Sequence, residues 1–417
     1  MKKQLLALTA LCLAALTGCE GGVAPAPTPA PVTVSVLYGE STTDPGLEDM
    51  FTGSLAGRFP DVELDWESVD WGERFSSTLE MRIAAGEVPD ILIGKSQDVR
   101  AFQPAGILAP FSEALSRKIQ PYALPQVSKD GEVYGLPYNM FYQGVLYNRD
   151  IFDRLGLAVP RTREQLDAVV KTLEKAGVTP FGTHFQEVWY TGNILMQFAA
   201  NDVFRENPGW GDDFRAGKAS YSDSPLWRDC YRQAKYALDH SWADAPSIAQ
   251  VEADRRFASG GCAMYLTGSW SIQAILTIAP QSRLGIFPYP NATGDAKLIF
   301  EPNITFMMSA SSAHRDLIEQ MIGALLSDQE LAESALQFTQ ADSLLTGVSS
   351  DTLSIIRDSI DFYKGGGEML DASVGNGQLV WQFQYGCAEA ALEWLKGNGT
   401  LEAALRYADQ HRAASGA

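Results

Sequence analysis

Between Val32 and Gly94 the chain switches twice from a two-residue hydrophobic period to a helical one. That alternation constrains the fold more than any other feature. "VTVSVLY", Val32 to Tyr38, alternates and is rich in β-branched residues, so it predicts a strand. A helical pattern follows over Gly46 to Arg58, then the strand-like "DVELDWE", Asp61 to Glu67. Trp71 to Gly86 predicts an amphipathic helix with Phe75, Leu79, Met81, Ile83 and Ala84 on its inner side. "ILIG", Ile91 to Gly94, closes a β-α-β-α-β series, the pattern of a parallel sheet covered by helices.

The pattern restarts at "GVLYN", Gly144 to Asn148. A short helix is expected over Asp150 to Leu155, and a longer one opened by Pro160 over Arg161 to Lys175. "VTPFGTH" predicts a further strand, and the chain from Ala313 onward is mostly helical. "SDQELAESALQF" and "GTLEAALRYADQHR" each show helical spacing behind a Ser or Thr cap. A chain of 417 residues exceeds one ordinary core, so two α/β lobes are expected.

The first residues stand apart from this fold. Lys2 and Lys3 precede an apolar run, Leu5 to Leu16, and then Thr17-Gly18-Cys19. This is the layout of a secretory signal. The run is too short to span a bilayer, which takes ~20 residues. "LTGC" resembles the lipobox of bacterial lipoproteins, which implies lipidation at Cys19. "EGGVAPAPTPAPV" then predicts an extended tether, at ~3.1 Å per residue. The expected mature protein is held at a membrane by its N-terminal lipid alone.

The formal charge is −19, and −21 once Lys2 and Lys3 leave with the signal. Such acidity disfavours nucleic acid and anionic lipid. It suits a neutral or cationic ligand. Cys230, Cys262 and Cys387 form an odd set without metal-like spacing. They leave room for one disulfide or for three buried thiols.

Enzyme signatures are absent from the sequence: no HExxH, GxSxG, phosphate-binding loop or dinucleotide fingerprint. Neither a cofactor nor a metal is expected. Aromatic residues are the stronger signal, with nine Trp and fifteen Tyr. Tyr38, Trp71, Tyr138, Trp189, Trp270 and Trp381 fall at element ends. In two-lobed α/β proteins, ligands bind where strand carboxyl ends meet a crevice. Sugars suit a site of this kind, stacking C–H faces on rings while polar side chains take hydroxyls.

Longer stretches resemble the extracellular solute-binding proteins of bacterial carbohydrate ABC importers, the relatives of maltose-binding proteins. They are "AAGEVPDILIG", "GEVYGLPYNMFYQGVLYNRDIFDRLGLAVPRT", "FASGGCAMYLTGSW" and "LEWLKGNGTLEAALRYAD", in that order. Arg163 is a departure, standing where that family often carries Trp, and is expected on an exposed helix face. The resemblance implies a type II periplasmic-binding fold. Its first lobe comprises 32–140 and 286–312, its second 141–285 and 313–417, after a signal at 1–18 and a tether at 19–31. Crossings between lobes are expected near 139–143, 285–288 and 309–313.

The same resemblance implies a monomeric receptor that hands a sugar or oligosaccharide to ABC permease subunits. It places Trp270 at the cleft as a stacking platform and Trp189 as a second-lobe aromatic. Gln97 and Asp98 offer polar groups, and Tyr138 lies at the hinge. Glu40, Tyr38, Trp71, Asn303 and Trp381 complete the expected ligand-binding set. Two rivals stand beside this reading. One is a lipid-anchored glycan hydrolase or lyase, which needs a carboxylate pair across the scissile bond. The other is the same fold binding a polyamine or another small cation.

Overall fold

The expected β-α-β-α-β series is present as β1 (Val32–Glu40), α1 (Leu47–Ala56), β2 (Val62–Asp70), α2 (Glu73–Ala85) and β3 (Ile91–Gly94). The computed structural model describes residues 31–40, 46–375 and 381–410, with the side chains of 73 and 381–385 outside that set. Cys19, the signal and residues 19–30 of the tether lie outside the described residues.

β1 is buried on both faces. Val34, Val36 and Tyr38 pack with Phe51 of α1. Leu37 points the other way, to Phe75 and Leu79 of α2. Phe75 and Leu79, four apart, form the inner stripe of α2, with Ile83 half-buried. Met81 and Ala84 were expected inside, but Met81 is 65% exposed and Ala84 also faces solvent. Residue 81 falls between the turns that carry 79 and 83.

α3 (Ser96–Phe102) follows β3, and the chain then enters β4 (Leu136–Asn148). The hydrophobic pattern suggested a strand over Gly144–Asn148, and the resemblance added a linking strand near 139–143. Twelve of the thirteen β4 residues are buried, so the strand has no polar alternation to reveal its first half. α4 (Arg149–Leu155) and α5 (Arg163–Lys175) come next. α5 starts at Arg163 because Thr162 caps it, accepting from Gln165 N while Gln165 reaches back in a capping box.

Arg163 is not on an exposed face. Its guanidinium donates to Asp202 at 2.8 Å and also to Asp229, with 19% of the side chain exposed. Burial raises the Asp202 carboxyl to about 6, against the pull of Arg163.

β5 (Phe181–Gly182) is all that the expected "VTPFGTH" strand contributes; the rest is loop. α6 (Val188–Asn201), α7 (Pro225–Asp239) and α8 (Gln250–Ala258) lead to β6 (Met264–Gly268), β7 (Leu284–Phe287) and β8 (Leu298–Ser309). The C-terminal third is largely helical, with α9 (Arg315–Leu325), α10 (Gln329–Thr339), α11 (Trp381–Leu395) and α12 (Leu401–Gln410). Asp328, rather than Ser327, caps α10, while Thr400 caps α12. The helical pattern hid two short strands in this third, β9 (Asp342–Ser343) and β10 (Met369–Asp371).

Among the described residues, eleven strands join one sheet, its main path β2-β1-β3-β8-β4-β6-β5. β8 pairs with β3 near its C-terminal end and with β10 near its start. β4 pairs with β8 over its first part and with β6 and β7 over its last. β4 and β8 therefore run through both lobes of an α/β fold. α9 and α10, expected in the second lobe from residue 313 on, instead pack against α1 of the first. Ser309 and Ala310 bond to Asp90 and Ile107 of that lobe, so the chain does not cross near 309–313. No described helix is long and apolar enough to cross a membrane. Cys230, Cys262 and Cys387 are buried free thiols, which resolves the disulfide question.

Candidate ligand-binding cleft

The strand register places the site. β3 ends at Gly94, opposite Thr305 of β8, and β10 ends at Asp371, opposite Phe300. β3 runs antiparallel to β8 and β10 parallel to it, so their carboxyl ends converge. Between them β8 advances five residues, about 16 Å at ~3.3 Å per residue. On the far side of β4, β6 ends at Gly268, opposite Gln143.

The first-lobe rim is built around Asp98, in the first turn of α3. Its Oδ2 accepts from Lys95 N at 2.7 Å and from Trp71 Nε1 at 2.9 Å. Burial raises its carboxyl to about 6, opposed by those two donors and by the Lys95 charge. Gly94 is required here, because a Cβ would lie 2.5 Å from that oxygen. Lys95 Nζ sits 4.2 Å from the Trp71 ring centroid and donates to Glu301 Oε1 at 2.5 Å. Glu301 Oε2 accepts from Gln143 Nε2. Glu301 and Phe141 are register partners, so with Gln143 they share one sheet face. A charged chain thus connects the first-lobe rim to the two strands common to both lobes.

The second-lobe rim is aromatic. Trp270 follows Gly268 at the end of β6 and folds back over it, so a Cβ on Gly268 would meet the indole at 2.1 Å. This explains the order of "TGSW": the glycine makes room for the ring, which therefore stands at the strand end instead of within it. The ring meets Phe141 edge-on at 6.0 Å and Trp189 at 6.4 Å. Its Nε1 is buried without a hydrogen-bond partner among the described residues.

Trp189 occupies the first turn of α6. Behind it His184 is fully buried, stacked on Tyr190 at 3.6 Å, with Nδ1 3.0 Å from Glu187 Oε2. Burial keeps the imidazole below its usual pKa, so it is neutral at pH 7. Glu187 also accepts from Gln250 N, and Gln250 Nε2 donates to Ser271 Oγ. These bonds tie the Trp189 loop to the Trp270 turn.

The remaining expected residues are placed as follows. Glu40 ends β1, where its carbonyl accepts from Trp71 N at 2.8 Å and its Oε1 accepts from Gly46 N. Gln97 is half-buried beside Asp98. Asn303 is buried at an irregularity in the β8–β4 register. Tyr38 and Tyr138 are not brought to the rim. Tyr38 packs edge-on against Trp66, and Tyr138 lies between Phe51 and Phe306 at 5.8 and 6.0 Å. The Trp381 side chain lies outside the described residues. Lys95, Gln143 and Glu301 were not among the expected ligand residues. The available signal was Glu301, a charge inside the otherwise strand-like "LIFEPNITFMM".

The family model for bacterial extracellular solute-binding proteins matches residues 40–332. The chain belongs to that family. It is a family of binding proteins and not of enzymes. Among curated relatives, the multiple sugar-binding protein of Streptococcus mutans is 24% identical over 59% of this chain and 60% of its own length. The melibiose/raffinose/stachyose-binding protein MelE of Bacillus subtilis is 24% identical over 70% of this chain and 68% of its own. The chain thus spans about two thirds of the length of these relatives. RafE of Streptococcus pneumoniae in its apo form superposes with a TM-score of 0.71 at 18% identity, over 93% of this chain and 98% of that one. A Bacillus subtilis binding protein solved in an open conformation gives 0.75 at 18% identity, over 92% and 98%. This solute-binding protein therefore has the two-lobed fold expected from its sequence.

Proposed function

We propose that this solute-binding protein captures a sugar or oligosaccharide between its lobes and presents it to the permease of an ABC transporter. The observation that carries the reading is the pairing of unlike rims. Trp189 and Trp270 meet on one side, and Trp71, Asp98 and Lys95 are joined to Glu301 on the other. Rings suit the C–H faces of a pyranose, and carboxylates and amides suit its hydroxyls. Relatives named for sugars, and a similar structure solved with raffinose, support the same class.

The lobes in this reading move about three crossings: β4, as expected near 139–143, and, in place of the segments near 285–288 and 309–313, β8 and the segment near β9, which pairs with Asn139 and Met140 of β4. A ligand that touches both rims favours the closed form by its differential affinity. Calorimetry against raffinose, maltotriose and spermidine tests the ligand class. Micromolar or tighter binding of either sugar, with none of spermidine, is expected. Binding of spermidine alone would replace the sugar by a cation.

Lipidation at Cys19 belongs to the same proposal, motivated by "LTGC" and the Pro-rich tether. The Cys19→Ser variant is expected in the soluble fraction after cell lysis, with unchanged melting. A variant that stays with membranes would contradict the anchor.

A further inference from the structure

One buried carboxylate at the cleft is not explained by the packing around it. Asp371 ends β10 and is 6% exposed. Its Oδ1 accepts from Ser373 N at 2.8 Å and from Ser373 Oγ at 2.6 Å. Its Oδ2 is buried with no hydrogen-bond partner among the described residues. A buried polar atom of this kind needs an explanation. An ionised carboxylate only accepts, so what it lacks is a donor.

Position supplies the reason. β10 and β3 lie on the same edge of β8 and point their carboxyl ends at one another along it, and the chain beyond Asp371 leads into α11, which packs against α2 of the other lobe. Asp371 thus stands on the second-lobe wall of the gap whose first-lobe wall is Lys95 to Asp98. The charges that act on it are Arg100 of α3, which favours its ionised form, and Glu301, which opposes it. Glu301 already accepts from Lys95 and Gln143. Asp371 Oδ2 therefore remains as an unused acceptor at this end of the cleft. Burial holds the Asp371 carboxyl up, at about 6, which leaves most of it ionised at pH 7.4.

We propose that Asp371 Oδ2 accepts a hydrogen bond from a ligand hydroxyl, and that this contact makes the cleft select neutral sugars over uronates. The inference rests on the sugar-receptor reading and adds a residue and a selectivity to it. A neutral hydroxyl supplies the missing donor. A ligand carboxylate at the same place would bring a second acceptor and a like charge into a desolvated gap.

Asp371→Asn isolates the effect, because Asn keeps Oδ1 for Ser373 and replaces only Oδ2, by an amide. Wild type and variant are titrated calorimetrically at pH 7.4 with maltotriose, raffinose and trigalacturonate, and melting is followed without ligand. The expected result is at least tenfold weaker binding of the neutral sugar that wild type binds, with no loss of melting temperature. Wild type is expected to bind trigalacturonate at least a hundredfold more weakly than that sugar, and the variant to narrow this gap. A variant within threefold of wild type on the neutral sugar overturns the role of Asp371 and leaves the sugar-receptor reading standing. So does a wild type that binds trigalacturonate as tightly as the neutral sugar. A wild type that binds none of the three contradicts the receptor reading itself, and the role of Asp371 falls with it.

Discussion

The Trp270→Ala variant is expected to bind the sugar about 30- to 1000-fold more weakly, a loss of ~2–4 kcal/mol, as for other anchor aromatics in desolvated sites. Three observations set that size. The ring is held by Phe141 and Trp189 at 6.0 and 6.4 Å. It lies over Gly268, where no other residue leaves room for it. Its Nε1 has no partner among the described residues and can donate to a ligand oxygen. The competing account makes Trp270 a packing residue only. Its loss would then lower stability by ~3–5 kcal/mol while the folded variant bound normally. Calorimetry on variant protein shown to be folded by circular dichroism separates the two, and wild-type affinity would remove Trp270 from the site.

The Arg163→Ala variant is expected to lose about 3–5 kcal/mol of stability, the range for removing one partner of a buried ion pair. Arg163 faces two carboxylates, and its side chain and that of Asp202 are 19% and 13% exposed. Without the guanidinium, both acids remain in a partly desolvated pocket. The effect should depend on pH, and its sign follows from Asp202. Burial already raises that carboxyl in the fold to about 6, above its unfolded value. Folding therefore favours the protonated form, and stability falls as pH rises from about 4 through 6. Removing Arg163 raises the folded value further, so the deficit is smaller at pH 5 than at pH 8. Urea denaturation of both proteins at the two pH values measures this. A loss below 1 kcal/mol at pH 8 would mean that the triad is solvent-screened and contributes little.

The elements that could be read from sequence are those with a wet face. α2 is legible because Phe75 and Leu79 alternate with exposed charges. β4 is legible only in part, since a strand buried on both faces shows no period. β10 has three residues, too few for any pattern, yet it carries Asp371, the proposed acceptor. Among the candidate site residues, Trp189 and Trp270 could be found from their place at element ends and from the resemblance of "FASGGCAMYLTGSW". The same criterion also selected Tyr38 and Tyr138. Proximity to an element end does not say which face a side chain takes, and both of these turn into the core against α1. Lys95 and Glu301 are 206 residues apart in the chain, so nothing local announces their contact. Arg163 was misread for a related reason. Its partners Asp202 and Asp229 come from 39 and 66 residues away.

One ligand is expected to bridge the two rims and hold the lobes together. Small-angle scattering with and without saturating sugar, alongside melting curves of the same samples, tests it directly. The sugar that raises the melting temperature is expected also to shrink the radius of gyration, because a ligand that touches both Trp270 and Asp98 favours the closed form. A sugar that raises the melting temperature and leaves the scattering curve unchanged would place the site within a single lobe and contradict the account.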